Sequence, residues 1–584
     1  MIATNKKLTI LMILMTWTNL IIAQETNNMD AEKSRACWRE KLSSDFMIWK
    51  KNPWKPLQSG QFPEQNAQEC KTLIFDMAQN EYKSASFVVS NLSDKNIDIK
   101  IGQAGDDLPL TIRECYYVKG SAEVKKINDA LPLFQSLAIP RQESREIWLT
   151  LSTRDLAPKT YHRALSVKSG AGQSKIVGIT VRVHPISLPS NPNDLPMRTL
   201  VYDYVNNTYL NRGRRALAQE AKADLMSHYV NVACIHPDSL PWPKDKNNIK
   251  GSMDFSNLDQ VLDFWMTDKK IPYLYFYAGL FESRFGETYM DETWKNNFST
   301  WLLQFCDHLN GKGISHENFC VNFMDETTAQ KHQTLLSFVK TVNPRIQTFA
   351  NLTTTSTREE IENISPNLDI FSPLIYAFLP RSNDLDLIKK KARHFWIYAN
   401  PLSRYPKIDC PYKWYRLIPW HAYAAKAVGC GFWCYLSGSS EKGYLPWEED
   451  TGKRGFLPQS PRTKKISWNV VYPLNEAPAD VCKMENIIPS KRWEAWREGI
   501  TDIMYFDLLE KEIAKAKASG VSEKAIEQAQ NALLDWPKKV LADAAQDRGP
   551  STRLANPSLA DEAREEIQNL ILTLKLSAKK QANP

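Results

Sequence analysis

The sequence predicts a multidomain α/β protein: an N-terminal β-sandwich, a central (β/α)8 TIM-type barrel and a small helical C-terminal region. Three observations predict it. Short, alternating, β-rich runs are confined to residues 31–190; strand-like and amphipathic helical segments alternate regularly from Met197; beyond residue 450 only long helical patterns remain.

The elements follow in order. Residues 1–23 read as an export signal, with Lys6 and Lys7 before an apolar run from Leu8 to Ile22 and Ala23 at the cleavage point. The run is shorter than the ~20 apolar residues of a spanning helix. No later stretch is long and apolar enough to span a bilayer, so the mature chain is expected to lack a membrane span and to work in the periplasm or outside the cell. The remaining roughly 560 residues exceed one core and imply two to four domains. In 24–190, "SASFVVSNL", "NIDIKIGQ", "REIWLTLS" and "KIVGITVRVHP" alternate apolar and polar residues between turn signals, as the strands of a sandwich do. "PISLPSNPNDLP" (185–196) reads as a linker.

The barrel is expected over 197–445. Its strands are "RTLVYDYV", "VNVACIHP", "YLYFYAGL", "NFCVNFMDE", "IQTFANL", "LDIFSPLIY", "HFWIYANP" and "GFWCYLS", with helices between them. Leu258, Val261, Leu262, Trp265 and Met266 follow helical spacing, and Ser256 with Asp259 suggests a capping box at that helix's start. Trp294, Phe298, Trp301, Leu302, Phe305 and Leu309 share one face of the next helix. Eight strands alternating with helices favour a closed barrel over an open sheet. The final region, 446–584, is mainly helical and is expected to pack on the barrel.

Composition excludes several classes. With 43% hydrophobic and 24% charged residues the chain is globular. A net charge of +8, from 74 basic against 66 acidic residues without a basic block, gives no reason for a nucleic-acid partner. Ten cysteines show no CxxC, and nine histidines show no HExxH, so neither a metal nor another cofactor is expected. Cys430 and Cys434 lie too far apart along one strand to bond each other. The 18 Trp and 22 Tyr suit sugar stacking, although large cores explain most of them.

Barrel active sites lie at the C-terminal ends of the strands. Asp325 and Glu326 end the fourth strand, where two like charges so close would drive their pKa values apart, giving one proton donor and one ionised stabiliser. Adjacent Asp-Glu pairs are also common in solvated loops, where the Asp caps the next helix. Further strand-end candidates for substrate contact are Tyr376, Trp396, Tyr398, Asn400, Trp433 and His236. Strand faces alternate, so about half of such residues point into the helix layer, and Trp396, Tyr398 and Asn400 share one face. A lone histidine such as His236 is as often structural. Arg416 and Trp420, four apart on the last barrel helix, suit packing better than ligand binding.

Four stretches carry a resemblance to glycoside hydrolase family 123 and its related uncharacterised domains. "NEYKSASFVV" with "IWLTLSTRDLAPKTYHRALSV" resembles the family's sandwich, and "NFMDE" its paired acids. "FWIYANP" with "YRLIPWHAYAAKAVGCGFWCYLS" resembles its last two barrel units, and "VYPLNEAP" with "SKRWEAWREGITDIMYFDLLEK" its closing segment. Together they span about residues 80 to 510, in the family's order. Thr327 departs from the proline common there, and "PLNEAPADVCKMENIIPS" is longer than the usual link. The resemblance implies substrate-assisted hydrolysis of a β-linked 2-acetamido sugar, with N-acetylgalactosamine favoured and a glycan as the partner. It gives Glu326 the role of acid and base, and Asp325 that of orienting the acetamido group. The alternatives are a glycosidase acting on a different polysaccharide sugar and a non-catalytic carbohydrate-binding protein.

Overall fold

The computed structural model describes residues 34–582 except 43, 59, 65, 120–125, 267–271, 280–281, 326–328, 354, 400–410, 437–446, 448–468 and 548–553. The expected export signal therefore lies outside the described residues. The chain forms two compact units: residues up to Ile186 together with Ala479–Met484, and Ser187–Pro478 together with Glu485 onward.

The first unit is a β-sandwich. One sheet orders Phe46–Lys51, Tyr82–Asn91, Ser144–Ser152 and Leu110–Glu114; the other orders Thr72–Gln79, Ser174–Ser187, Thr160–Ser169, Ile97–Gly105 and Leu137–Ile139. Alternation decides which side chains meet between the sheets. Phe87 and Val89 join Ile147, Leu149, Leu165 and Val177 in the core, while the intervening Val88 packs with Met47, Trp49 and Trp38 on the other face. Helix 34–42 supplies Trp38, which is why the run "SFVV" is apolar on both faces. The last strand continues to Ser187, three residues into the stretch read from sequence as a linker.

The second unit is an eight-stranded barrel with C-terminal helices. Its strands are β1 (Arg198–Tyr202), β2 (Val232–Ile235), β3 (Tyr273–Tyr277), β4 (Phe319–Asn322), β5 (Gln347–Leu352), β6 (Ile370–Pro373), β7 (His394–Ala399) and β8 (Gly429–Trp433). Each pairs in parallel with its neighbour from β2 through β8, and β8 pairs with β1. At the remaining seam, side chains bridge β1 and β2. The Asn231 amide oxygen accepts from the Thr199 N–H (2.8 Å), and the Thr199 hydroxyl donates to the Tyr229 carbonyl (2.6 Å).

Between the strands run α1 (Arg215–Ser227), α2 (Ser256–Trp265), α3 (Glu292–Gly311), α4 (Ala329–Val342), α5 (Arg358–Ile364), α6 (Ser382–Lys391) and α7 (Leu417–Ala425). The apolar stripe expected on α3 is fully buried. The capping box expected at Ser256 does not form. Ser256 donates its hydroxyl (2.6 Å) and its N–H (3.0 Å) to Asp254, and the Asp259 carboxylate accepts from His308 on α3 (2.7 Å). A complete capping box opens α5 instead, between Thr357 and Glu360.

The helix ring is completed by α8 (Lys491–Ala518), which lies against β8 and α1. Phe432 packs on Trp496 (5.1 Å between centroids), Trp493 donates to Asp224 (2.9 Å), and Trp496 donates to the His228 carbonyl (3.0 Å). Two further helices, α9 (Glu523–Ala545) and α10 (Ser558–Ala582), pack with α8. Among the described residues no helix is long and apolar enough to cross a membrane, and no disulfide is formed.

Strand β8 needs its glycines because neighbours crowd it. A Cβ on Gly431 would lie 2.0 Å from the Leu200 carbonyl oxygen, and one on Gly429 would lie 2.5 Å from the Trp396 ring. Backbone cannot yield as a flexible side chain does, so Gly431→Ala is expected to cost about 3 kcal/mol or more. Urea denaturation of the purified variant measures it; a loss below about 0.5 kcal/mol, the range of a surface change, contradicts this account of the packing.

Candidate active site

Period-two alternation along the strands aims one set of side chains at the barrel axis. At the bottom they form a dry floor of Leu200, Val232, Tyr273, Cys320, Phe349, Ile370 and Trp396. Above it the lining becomes polar-tipped, with Tyr202 and Tyr204 from β1 and its end, Tyr275 and Tyr277 from β3, Tyr398 from β7 and Trp433 from β8.

The phenols are bonded to one another and to two buried amides. Tyr202 donates to the Tyr275 hydroxyl oxygen (3.1 Å), and their rings meet edge to face with centroids 5.4 Å apart. The Asn322 amide at the end of β4 donates to Tyr275 (2.9 Å), and the Asn351 amide on β5 donates to Tyr202 (3.0 Å). Tyr398 packs edge-on against Tyr202 at 5.9 Å. Burial, reinforced by neighbouring phenols and the charge of Asp325, holds the hydroxyls of Tyr202, Tyr275 and Tyr398 well above the ordinary phenol range. They therefore remain protonated donors across the range in which enzymes work.

Asp325 follows β4 by three residues, with Phe323 and Met324 buried and its own side chain exposed. Its charge acts on the hydroxyls of Tyr202, Tyr275 and Tyr398, which come from three different strands. His332, on α4, steadies this turn by donating from Nε2 to the Met324 carbonyl (2.9 Å); burial lowers its pKa, favouring the neutral ring.

A second group lines the rim. Tyr204 adopts a left-handed backbone (φ +52°), uncommon for a bulky residue and frequent at working sites. The buried Asp203 supports that turn by accepting from the Val205 N–H (2.8 Å); burial pushes its carboxyl up to about 7. The Tyr204 ring stacks on His236 at 4.0 Å, and its hydroxyl accepts from Trp433 Nε1 (3.4 Å). His236 is buried and pushed down to about 3, so it is a neutral ring at physiological pH. The Trp433–Cys434 peptide bond is cis, and both side chains join the barrel interior.

Of the residues singled out from sequence, Asp325, Tyr398 and Trp433 meet in the mouth. Glu326 and Asn400 lie outside the described residues. His236 is buried and stacked on the Tyr204 ring. Trp396 faces the axis, one layer too deep. It is 3% exposed, packed on Tyr273 and Phe349 and beneath Gly429, so it is floor packing and not a sugar platform. Tyr376 does not join the site either. Strand β6 ends at Pro373, the chain turns into a short helix, and the Tyr376 ring meets Trp414 and His421. Arg416 and Trp420 are fully buried and both bond Asp502.

Tyr202, Tyr204, Tyr275, Tyr277, Asn322 and Asn351 were not singled out from sequence. The signal was present in the period-two tyrosines of "VYDYV" and "YLYFY".

No sequence-family model and no curated protein matches the chain. Among solved structures, a family 123 glycoside hydrolase from Clostridium perfringens, described for glycolipid glycan hydrolysis, has a similar fold. Its TM-score is 0.64 at 11% identity, over 92% of this chain and 99% of that one. A psychrophilic glycoside hydrolase family 10 endo-β-1,4-xylanase aligns with 41% of this chain and 87% of its own, at 11% identity and a TM-score of 0.30. A PapD-like domain of human CEP192 aligns with 24% of this chain and 87% of its own, at 12% identity and a TM-score of 0.15. At this level of identity the first likeness is one of fold.

Proposed function

We propose that the chain is an exported glycoside hydrolase that cleaves β-linked N-acetylhexosaminides, N-acetylgalactosamine foremost, by substrate-assisted catalysis. One observation carries the reading: a carboxylate, Asp325, three residues beyond the C-terminal end of a barrel strand, whose charge acts on phenol hydroxyls from three other strands. The barrel and sandwich architecture it shares with a family 123 hydrolase supports the same reading, as does the adjacent Glu326 in the sequence.

In this mechanism the substrate's own acetamido carbonyl oxygen attacks the anomeric carbon as the glycosidic C–O bond breaks. Glu326 gives its proton to the departing oxygen. Asp325 accepts from the acetamido N–H and stabilises the positive charge growing on the oxazolinium. Water then attacks the anomeric carbon, Glu326 takes its proton, and the ring-closing C–O bond breaks to restore the acetamido group. Tyr398 and Trp433 line the cavity that receives the sugar. No metal is called upon.

The test compares an aryl N-acetyl-β-galactosaminide with the matching 2-hydroxy glycoside. The first should be hydrolysed and the second left almost untouched, and a thiazoline analogue of the acetamido sugar should inhibit. Equal turnover of both glycosides contradicts the mechanism. For export, N-terminal sequencing of protein recovered outside the cytoplasm should begin close to residue 24.

A further inference from the structure

A buried acid beside the mouth is only half satisfied. Asp203 follows β1 directly and is 0% exposed. Its Oδ1 accepts from the Val205 N–H (2.8 Å), while its Oδ2 has no hydrogen-bond partner. A carboxyl bonded to the N–H two residues on is a side-chain turn, and this one closes around Tyr204, whose backbone is left-handed (φ +52°). Such a backbone is costly for a bulky residue and needs support from its surroundings. It lays the Tyr204 ring on His236, with centroids 4.0 Å apart, and brings the Tyr204 hydroxyl oxygen to Trp433 Nε1 at 3.4 Å. A residue lining the mouth is thus tied, through Tyr204, to the acid below.

Ionised, Asp203 would place a charge on a buried oxygen that no donor meets. The turn of 205–208 carries no titratable side chain. The titratable groups facing Asp203 from the neighbouring strands are Cys234 on β2 and Tyr435 after β8; burial pushes both well up, so they are neutral and supply no cation. The N–H groups of Val205 and Cys234 favour the anion, but burial outweighs them. We infer that Asp203 is a positioning residue that works as a neutral acid: protonated, it holds Tyr204 and Trp433 in place, and its ionisation draws water beneath the turn and sets the alkaline limit of the site. The effect on hydrolysis rests on the proposed function; the protonation state and the hold on Trp433 do not.

The full-length protein labelled with 13Cγ-aspartate reads the acid directly, with the Asp203 resonance assigned by its loss in Asp203→Asn. The asparagine keeps an acceptor for the Val205 N–H and cannot ionise. Asp203→Ser, whose hydroxyl can make the same turn, replaces it where the amide variant does not fold. In wild type the resonance should titrate near pH 7; a midpoint below about 5, in the ordinary carboxylate range, overturns the inference. With fluorotryptophan incorporated, the Trp433 19F resonance, assigned by its loss in Trp433→Phe, should move with pH at the same midpoint and stay still in the uncharged variant. A resonance that stays still in wild type overturns the positioning role. In the hydrolysis assay the alkaline limb of kcat/KM should move up by at least one pH unit in the uncharged variant, and an unmoved limb overturns the alkaline limit. A wild type that hydrolyses no acetamido glycoside would instead remove the hydrolase reading, and the two resonances would still decide how Asp203 works.

Discussion

Asparagine in place of Asp325 is expected to slow hydrolysis of every acetamido substrate by about 10²–10³-fold, the scale for removing one transition-state stabiliser. The substitution keeps the shape and a hydrogen-bonding tip but removes the charge that supports the oxazolinium. That charge is needed whatever the leaving group, so an aryl glycoside and a natural disaccharide should lose equally. Glu326→Gln should behave differently. It removes the proton donor, which a poor sugar leaving group needs and an activated aryl group scarcely does, so the disaccharide should suffer far more. Measuring both variants on both substrates gives a two-by-two pattern. If the wild type hydrolyses a substrate and both variants match its rate, the site is wrongly assigned.

The second large effect is on stability. Asp502, in the buried half of α8, accepts from Arg416 Nε (2.9 Å) and Nη2 (3.2 Å), from Trp420 Nε1 (2.9 Å) and from Arg564 Nε (2.7 Å). Its partners come from the turn before α7, from α7 itself and from α10, so one carboxylate ties three segments together. The two guanidiniums hold it below the usual carboxylate range, although burial opposes them. Because its folded pKa is depressed, its contribution is present above the unfolded value and fades as pH falls through the folded one. Asp502→Ala leaves Arg416 and Arg564 buried against each other with too few acceptors. A loss of about 3–5 kcal/mol is expected, the usual cost of breaking a buried pair from one side. Asp561 also bonds Arg416 (2.6 Å), but its side chain is 48% exposed, so Asp561→Ala should cost no more than about 1 kcal/mol. Urea denaturation of both variants makes the comparison. Equal losses would mean that the buried network does not hold the helices.

Much of this was legible in the sequence. All eight barrel strands and the apolar stripe of α3 follow from residue periodicity, because alternation and helical spacing report directly which side is buried. Depth along the barrel axis does not show in that pattern. Trp396 and Tyr398 have the same parity, yet one is floor and the other lines the mouth, and only the register of neighbouring strands separates them. Tyr376 was misplaced for a related reason: "LDIFSPLIY" reads as one strand, and the turn into helix after Pro373 has no glycine to mark it. The phenol–amide chain joins β1, β3, β4 and β5, which no local pattern connects. At Ser256 the local pattern was correct in type, but Asp254 competes for the same donors and wins by proximity.

The helix ring closes late. Trp493 on α8 meets Asp224 on α1 across 269 positions of chain, and β8 is complete long before α8 exists. A chain leaving the ribosome at about 5–20 residues per second therefore carries α1 for on the order of tens of seconds before its partner emerges. During that interval the face bearing Asp224 and His228 has no cover, and the outer side of Phe432 has none from its own synthesis until Trp493 follows. Truncation or stalling before Lys491 would leave a barrel with one flank open, a ready target for aggregation and for the chaperones and proteases that patrol nascent chains. The helices beyond residue 490 are thus part of what makes the barrel foldable.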